Sequence, residues 1–102
     1  MWGEMTEAEI LSRVMEVVRR KLPKDFQGKV FLFGSRAAGT AGERSDFDIG
    51  IDAGKRLPAG TISWIEEELD LLPDLRKVEV VDFSDVTDDF RRVAMGKTKE
   101  LL

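Results

Sequence analysis

Two acidic side chains lie two positions apart in an otherwise apolar stretch of this sequence. Asp46 and Asp48 belong to the sequence DFDIGID, in which large apolar residues alternate with acidic residues or glycine. This period of two predicts a β-strand over residues 46–52 with both carboxylates on one face, about 6.5–7 Å apart between their Cα atoms. Such a pair can bind divalent cations, and two cations about 3.5–4 Å apart suit phosphoryl or nucleotidyl transfer. The alternative is structural, with Asp46 capping a turn and Asp48 solvated on the strand.

A glycine and a serine directly follow the apolar sequence KVFLF, which predicts a buried strand over residues 29–33. A backbone turn at Gly34 and Ser35 can offer N–H groups to an anion, and the serine hydroxyl adds one more donor. The missing side chain at Gly34 lets a phosphate approach closely. Gly39 either lets the next loop turn beneath the same site or is an ordinary turn glycine. The pattern predicts a phosphate-binding turn ahead of the acidic strand.

Composition narrows the chemistry that these residues can perform. The chain has 102 residues, of which 42% are apolar, and it contains neither cysteine nor histidine. Disulfides, thiolate or imidazole metal sites and histidine-based catalysis are therefore excluded, and a bound metal must have oxygen ligands, as Mg²⁺, Mn²⁺ and Ca²⁺ do. The net charge of −4 argues against binding to duplex nucleic acid but not against binding a nucleotide. No signal pattern or long apolar run is present, so we expect a soluble, cytoplasmic protein.

A sheet and several helices are needed to position the acidic pair and the Gly-Ser turn. The hydrophobic spacing predicts a first helix over 6–21, with capping-box spacing at its start. A second helix is predicted to begin between 58 and 63 and to end before Pro73. A third helix is predicted over 87–102, where Gly96 interrupts or ends the helix. A third strand is predicted over 77–83. The order helix, strand, strand, helix, strand, helix predicts a single α/β (α+β) domain over 1–102, with a small, mostly three-stranded mixed sheet and helices packed on it.

The Gly-Ser turn and the acidic pair together form a longer motif. It reads Gly-Ser, three residues, Gly, five residues, Ser-Asp-x-Asp, and here it is GSRAAGTAGERSDFDIGI, residues 34–51. This motif resembles the signature of the polymerase beta-like nucleotidyltransferase superfamily, and the chain length and layout resemble its minimal nucleotidyltransferase (MNT) branch. The resemblance implies the polymerase beta-like nucleotidyltransferase fold.

The resemblance also implies roles for residues of the motif. Gly34 and Ser35 would hold the triphosphate of an NTP, and Asp46 and Asp48 would bind two Mg²⁺ ions, or Mn²⁺. Ser45 would either fix the turn before the acidic strand or contact a phosphate oxygen.

Arg36 has two alternative roles. It either contacts the triphosphate or forms an ion pair with a neighbouring acid such as Glu43.

Two positions depart from the family pattern. The third carboxylate of the family is usually an aspartate, and the matching position here is Glu79, with the alternative of a solvated strand residue. We expect Glu79 to bind the catalytic metal and to help deprotonate the acceptor hydroxyl, while Asp82 lies on the opposite face of the strand. Many minimal members have an arginine where this chain has Ala38, so one candidate phosphate-binding cation is missing.

The resemblance implies a metal-dependent nucleotidyltransferase that moves an NMP, AMP in our expectation, from an NTP such as ATP to a hydroxyl. MNT proteins are commonly paired with a HEPN-type toxin, and we expect the acceptor to be a tyrosine of such a toxin and the protein to act as its antitoxin. The alternative is an inactive or weakly active MNT-fold protein that neutralises its partner by contact alone. A third interpretation is an antibiotic-modifying nucleotidyltransferase. We consider it weaker, because the enzymes of that type usually carry a further domain for the substrate. An uncovered sheet edge also leaves a homo-oligomer open.

Overall fold

Four strands form one mixed sheet in the computed structural model, which describes residues 5–102. The strands are β1 (Lys29–Phe33), β2 (Phe47–Asp52), β3 (Val78–Asp82) and β4 (Lys99–Glu100). The helices are α1 (Glu7–Lys21), α2 (Gly34–Ala38), α3 (Thr61–Leu69) and α4 (Asp88–Ala94), and a short 3-10 helix (Phe83–Asp85) follows β3. The strand order is β3-β2-β1-β4, in which β1 runs antiparallel to β2 and β4 while β2 runs parallel to β3. The predicted α/β fold is confirmed.

Helix α1 begins at the predicted capping box. The Glu9 N–H donates to the Thr6 hydroxyl at 3.1 Å, and the Thr6 N–H donates to the Glu9 carboxylate at 2.8 Å. Two otherwise unpaired N–H groups at the helix start are thus satisfied. The helix buries one apolar face, which consists of Ile10, Leu11, Val14, Val17 and Val18.

The main core lies between one face of the sheet and the helices α1 and α3. Alternate residues of β2 point into it, because a strand directs every second side chain to the same face. Those residues are Phe47, Ile49 and Ile51, all fully buried. Helix α3 also covers the outer edge of β3, where the Val80 N–H donates to the Glu66 carboxylate at 2.9 Å. This contact satisfies a donor that an edge strand would otherwise expose.

A smaller aromatic cluster lies on the opposite face of the sheet. The rings of Phe31 and Phe83 meet edge to face with centroids 4.8 Å apart, a favoured aromatic geometry. Both rings cover Gly50, where an added Cβ would lie 2.5 Å from Phe31 and 2.7 Å from Phe83. Helix α4 packs here through Phe90, and the Arg91 guanidinium anchors it to the Asp52 carboxylate at 2.9 Å. The acidic pair of β2 shares this face.

Two features differ from the sequence-based prediction. Gly34 and Ser35 form the first turn of helix α2 instead of the simple turn expected after β1, and this helix ends at Gly39 in the left-handed conformation. The C-terminal helix ends at Ala94, in agreement with the alternative that Gly96 ends it, but the residues beyond it form β4 beside β1 and make the sheet four-stranded. Segments of five and two residues are too short to show a hydrophobic period, so their neighbours in the fold decide their conformation. No helix in the described part of the chain is long and apolar enough to span a membrane.

Candidate functional site

The Gly-Ser turn lies directly over the second aspartate of the motif. Phe33 at the end of β1 pairs with Asp48 on β2, so the next residue, Gly34, passes beside the Asp48 side chain. Gly34 has φ of +73°, a conformation that favours glycine. A Cβ added there would lie 2.4 Å from Asp48 Oδ2. The backbone conformation therefore favours glycine at this position, and any larger residue would also displace the Asp48 carboxylate.

Asp48 and Glu79 are neighbours across the parallel strands β2 and β3. Residues that are paired in register project to the same face of the sheet, so the Glu79 side chain lies on the same face as Asp48. The register thus agrees with the motif alignment, which predicted Glu79 as the third carboxylate. Burial raises the pKa of the Asp48 carboxyl, and the negative charges of Glu79 and Asp46 raise it further. The side chain of Glu79 is 48% exposed, and its carboxylate lies 3.9 Å from the Lys77 ammonium group. Asp46 and Glu79 are therefore close enough to Asp48 to act on its carboxyl group electrostatically.

Asp46 and Asp82 each accept backbone hydrogen bonds. Asp46 Oδ1 accepts from the Lys77 N–H at 3.1 Å, which links the start of β2 to the start of β3. Asp82 accepts from the Leu57 N–H at 2.9 Å and from the Ser84 hydroxyl at 2.7 Å. Asp82 therefore stabilises the chain around the 3-10 helix, while Asp46 holds the acidic strand against its neighbour.

Ser45 stabilises the loop that leads into β2. Its hydroxyl accepts a hydrogen bond from the Gly42 N–H at 3.0 Å, and its own N–H donates to the Gly42 carbonyl at 3.2 Å. Of the two roles expected for Ser45, these contacts correspond to fixing the turn.

Arg36 connects helix α2 to the same loop. Its guanidinium donates to the Ser45 carbonyl from Nε at 3.1 Å and from Nη2 at 2.7 Å, and Nη2 also donates to the Glu43 carbonyl at 3.1 Å. The guanidinium lies 4.0 Å from the centre of the Phe47 ring, and only 8% of the side chain is exposed. Its ion pair is with Glu7 at 3.4 Å, whereas Glu43 is contacted through its backbone. Arg36 thus spans the two halves of the motif.

Arg76 is a second arginine at this loop, which the sequence did not single out. Its Nη1 donates to the Glu43 carbonyl at 3.3 Å, and its Nε and Nη2 donate to the Asp74 carboxylate at 2.9 and 2.8 Å. Asp74 also accepts from the Met5 N–H at 3.0 Å. The side chains of Asp74 and Arg76 are 2% and 8% exposed, and Arg76 holds the pKa of Asp74 well below its usual range. No periodicity marks these residues, because they act through contacts between distant segments.

A cleft of about 590 Å³ opens beside the Gly-Ser turn, between α2 and the segment that begins with α4. Residues Gly34, Ser35 and Ala38 line one side of it, and Phe90, Val93 and Lys97 line the other. The sequence predicted the first side as a binding element but assigned no role to the second. Only the packing of α4 on the aromatic cluster brings the two sides together.

The sequence profile of the family described as "Polymerase beta, Nucleotidyltransferase" matches residues 19–102. The chain belongs to this family. The predicted superfamily membership is therefore confirmed, and the family and fold support nucleotidyltransferase activity in general. A comparison with curated protein sequences finds no match.

Solved toxin–antitoxin complexes contain chains with this fold. A chain of a complex described as a toxin–antitoxin with AMP-PNP is 25% identical, with a TM-score of 0.72 over 90% of this chain and 72% of that one. A chain from the complex of a tri-AMPylated Shewanella oneidensis HEPN toxin with an MNT antitoxin is 20% identical, with a TM-score of 0.70 over 95% of this chain and 72% of that one. A chain of an MntA–HepT toxin–antitoxin is 21% identical, with a TM-score of 0.69 over 94% of this chain and 72% of that one. These likenesses show the fold of the chain.

The nucleotidyltransferase fold generally uses divalent metals, and the acidic residues of the motif suit them chemically. Carboxylate oxygens are the ligands that Mg²⁺ and Mn²⁺ prefer. Burial, and then the negative charges of Glu79 and Asp46, disfavour the charged form of Asp48 and raise its pKa, and a divalent cation would offset these effects. Within residues 5–102, no three acidic side chains are gathered closely enough to form a metal cluster as they stand. Binding a metal would therefore require side-chain rearrangement, for which the exposed Glu79 has room.

Proposed function

We propose that this protein is a metal-dependent nucleotidyltransferase that moves AMP from ATP to a tyrosine hydroxyl of a HEPN-type toxin and thereby acts as its antitoxin. The observation that carries the proposal is the contact between the turn and the acidic strand. At Gly34 an added Cβ would lie 2.4 Å from Asp48 Oδ2, so a phosphate held by the turn is beside a carboxylate of the motif.

The Gly-Ser turn binds the phosphates of the nucleotide. The N–H groups of Gly34 and Ser35 and the Ser35 hydroxyl suit phosphate oxygens, because these residues form the first turn of α2, where backbone N–H groups have no acceptor within the helix. Arg36 and Ser45 support this binding indirectly by holding the loop 42–45 against α2. A turn that is already fixed before the nucleotide arrives loses less entropy on binding.

Asp46, Asp48 and Glu79 would hold two Mg²⁺ ions, which Mn²⁺ can replace. When bound, such ions neutralise charge on the attacking and leaving oxygens of phosphoryl transfer. The acceptor oxygen forms a bond to the α-phosphorus, the bond from that phosphorus to the bridging oxygen breaks, and pyrophosphate leaves. The carboxylate of Glu79 accepts the hydroxyl proton, a role that its partly exposed side chain allows.

The choice of ATP and of a HEPN toxin is supported by the solved relatives. One of them is a toxin–antitoxin complex with AMP-PNP, and in another the toxin carries AMP groups. We extend the same nucleotide and the same class of partner to this chain. A reaction that consumes ATP also agrees with the expected cytoplasmic location.

Transfer of label tests the proposal directly. The protein is incubated with its co-purified toxin partner, Mg²⁺ and ATP labelled at the α-phosphate, and label should appear on the partner. Asp46→Asn combined with Asp48→Asn should abolish labelling while circular dichroism shows an unchanged fold. Absence of labelling by the wild type, together with a double variant that still neutralises the toxin, would contradict the enzymatic role.

A second function is favoured by the state of Glu79. Its side chain is half exposed and lies near Lys77, and a glutamate replaces the usual aspartate. A protein with a weakened third carboxylate can still neutralise a toxin by contact. In the same experiment, this function predicts inhibition of the toxin without any transfer of label.

A further inference from the structure

The nucleotide-binding side of the proposed site has a shortage of positive charge. A triphosphate carries several negative charges, yet the turn itself provides only neutral donors from Gly34 and Ser35. Ala38 has no charge to offer, and the guanidinium of Arg36 is engaged by the carbonyls of Ser45 and Glu43. The proposed Mg²⁺ ions would be held by the carboxylates of the motif, so a side-chain cation near the turn would add to the binding of the terminal phosphates.

The cleft between α2 and α4 brings such a cation to the turn. Lys97 lines this cleft together with Gly34, Ser35 and Ala38. The volume of the cleft is about 590 Å³, which is well within the ~300–1,000 Å³ of typical small-molecule sites. The short side chain at Ala38 leaves that side of the cleft open.

The charges that line this cleft differ from those of the protein as a whole. The chain has 20 acidic and 16 basic residues, but no acidic residue lines this cleft, and Lys97 is its basic lining residue. Within residues 5–102, the Lys97 side chain forms no hydrogen bond or ion pair. The nearby Arg91 and Arg92, by contrast, are paired with Asp52 and Asp89. An anion in the cleft would thus meet a cation without first displacing a carboxylate.

The backbone holds Lys97 in place on both sides. Before it, the Gly96 N–H donates to the Val93 carbonyl at 3.2 Å at the end of α4. After it, β4 pairs with β1, and the Leu101 N–H donates to the Val30 carbonyl at 2.8 Å. A side chain whose backbone is anchored in this way loses less freedom when it binds a ligand.

We infer that Lys97 is a binding residue for the terminal phosphates of the nucleotide. This inference rests on the proposed function, because it assigns a ligand to the same site. The ammonium group of lysine is a compact point charge on a flexible stem, and it serves as a phosphate ligand in other nucleotide sites. Ser35 and Thr40 add hydroxyl groups to the same cleft.

Binding measurements with the purified protein test the inference without relying on catalysis. Calorimetry with Mg²⁺ compares ATP, inorganic tripolyphosphate and AMP as ligands of the wild type, Lys97→Gln, Lys97→Arg and Lys99→Gln. Lys99 lies two residues away on β4 and is exposed, so it is the matched control for loss of one charge. We expect Lys97→Gln to weaken ATP and tripolyphosphate about tenfold, the loss expected for one charge-assisted contact, and to leave AMP binding unchanged. Lys97→Arg should stay within about threefold of the wild type because it keeps the charge.

Three results would overturn the inference. The first is unchanged binding of ATP and tripolyphosphate by Lys97→Gln. The second is an equal loss of AMP binding, which would assign the cleft to the nucleoside instead. The third is an equal loss of ATP and tripolyphosphate binding in Lys99→Gln, which would reflect only the overall electrostatic potential of the protein.

The transfer assay separates this inference from the proposed function. In that assay Lys97→Gln should raise the KM for ATP about tenfold with little change in kcat, since a contact equal in ground and transition states affects only binding. If the wild type transfers no label, the proposed function fails, while the tripolyphosphate measurement still decides the role of Lys97.

Discussion

The two sides of the acidic strand β2 differ in how firmly they are held. On the side of β1, Gly34 lies against Asp48, and Arg36 holds the loop before β2 through backbone carbonyls. On the side of β3, the Glu79 side chain is 48% exposed, with Lys77 at 3.9 Å as its ion-pair partner. The contrast indicates that the fold holds the β1 side firmly, whereas the half-exposed side chain of Glu79 on the β3 side has room to adjust. Substitutions on the two sides should therefore differ in the size of their effects on stability and on transfer.

Gly34→Ala should have the largest effect, because it adds both backbone strain and a clash with the Asp48 carboxylate. Displacing that carboxylate by about 1 Å would reduce transfer about a hundredfold. The matched control is Gly39→Ala, since Gly39 has φ of +79° but no atom within 4 Å of an added Cβ. It should lose about 1–2 kcal/mol of stability with little change in activity. Equal loss of labelling in both variants would show that strain alone is responsible.

Asp74→Asn should destabilise the protein around the loop before β2, which Arg76 contacts at the Glu43 carbonyl. The substitution leaves the charge of the buried Arg76 uncompensated. Breaking a buried ion pair costs about 3–5 kcal/mol, so we expect a loss of about 3 kcal/mol in denaturant unfolding at neutral pH. Arg76 lowers the pKa of Asp74 in the folded state, below the ~3.9 of an unfolded chain. The stabilisation is thus complete above about pH 5 and is lost as the pH falls below about 4.

The difference between the wild type and Asp74→Asn should accordingly shrink in acid. A difference that stays constant between pH 7 and pH 3 would mean that the charge of Asp74 is not what stabilises the fold.

Arg36→Lys keeps the charge of the firm side but loses the forked geometry that reaches the Ser45 and Glu43 carbonyls. We expect a loss of about 1–2 kcal/mol of stability. Because the loop contacts of Arg36 support nucleotide binding, the KM for ATP should also rise about tenfold, measured by label transfer. Arg20→Lys is the control, because Arg20 pairs with Glu68 at the surface, where such pairs contribute less than about 1 kcal/mol. Similar losses in the two variants would argue against a specific role for the loop contacts.

Glu79→Asp on the loose side should have the smallest effect. Because the side chain is exposed and packed against little, shortening it should leave the free energy of unfolding unchanged within about 0.5 kcal/mol. Transfer should remain within about threefold of the wild type, since a half-exposed side chain has room to adjust to the loss of one methylene, unlike a fixed one. A loss above tenfold would show that the glutamate is positioned as firmly as Asp48.

Local patterns predicted those elements whose apolar face is long enough to be recognised. The predicted strand 29–33 coincides with β1, and the helix predicted over 6–21 matches α1 with its Thr6 cap. The strands predicted over 46–52 and 77–83 are each one residue too long at one or both ends. These segments bury regular faces, so hydrophobic spacing identifies them. The single domain over 1–102 and the cytoplasmic location stay predictions.

The candidate site was predicted only where the motif is contiguous or aligned. The spacing of the motif identified Gly34, Ser35 and the two aspartates, and the register of β2 with β3 sets Glu79 beside Asp48 as expected. Their roles as nucleotide and metal ligands stay predictions. Arg76 and Lys97 were missed, because each approaches the motif from a segment distant in sequence.

The sequence by itself determined the family, the acidic strand and the Gly-Ser turn, because period, spacing and residue type are local properties. Only the tertiary structure decided which groups the charged side chains contact and which of these side chains lie near the motif. It turned Arg36 toward loop carbonyls, ended α4 at Ala94 and paired β4 with β1, and so brought Lys97 to the cleft beside Ala38. The physical reason is that a charged side chain is assigned its partner by the packing of distant segments, and no local pattern records that packing.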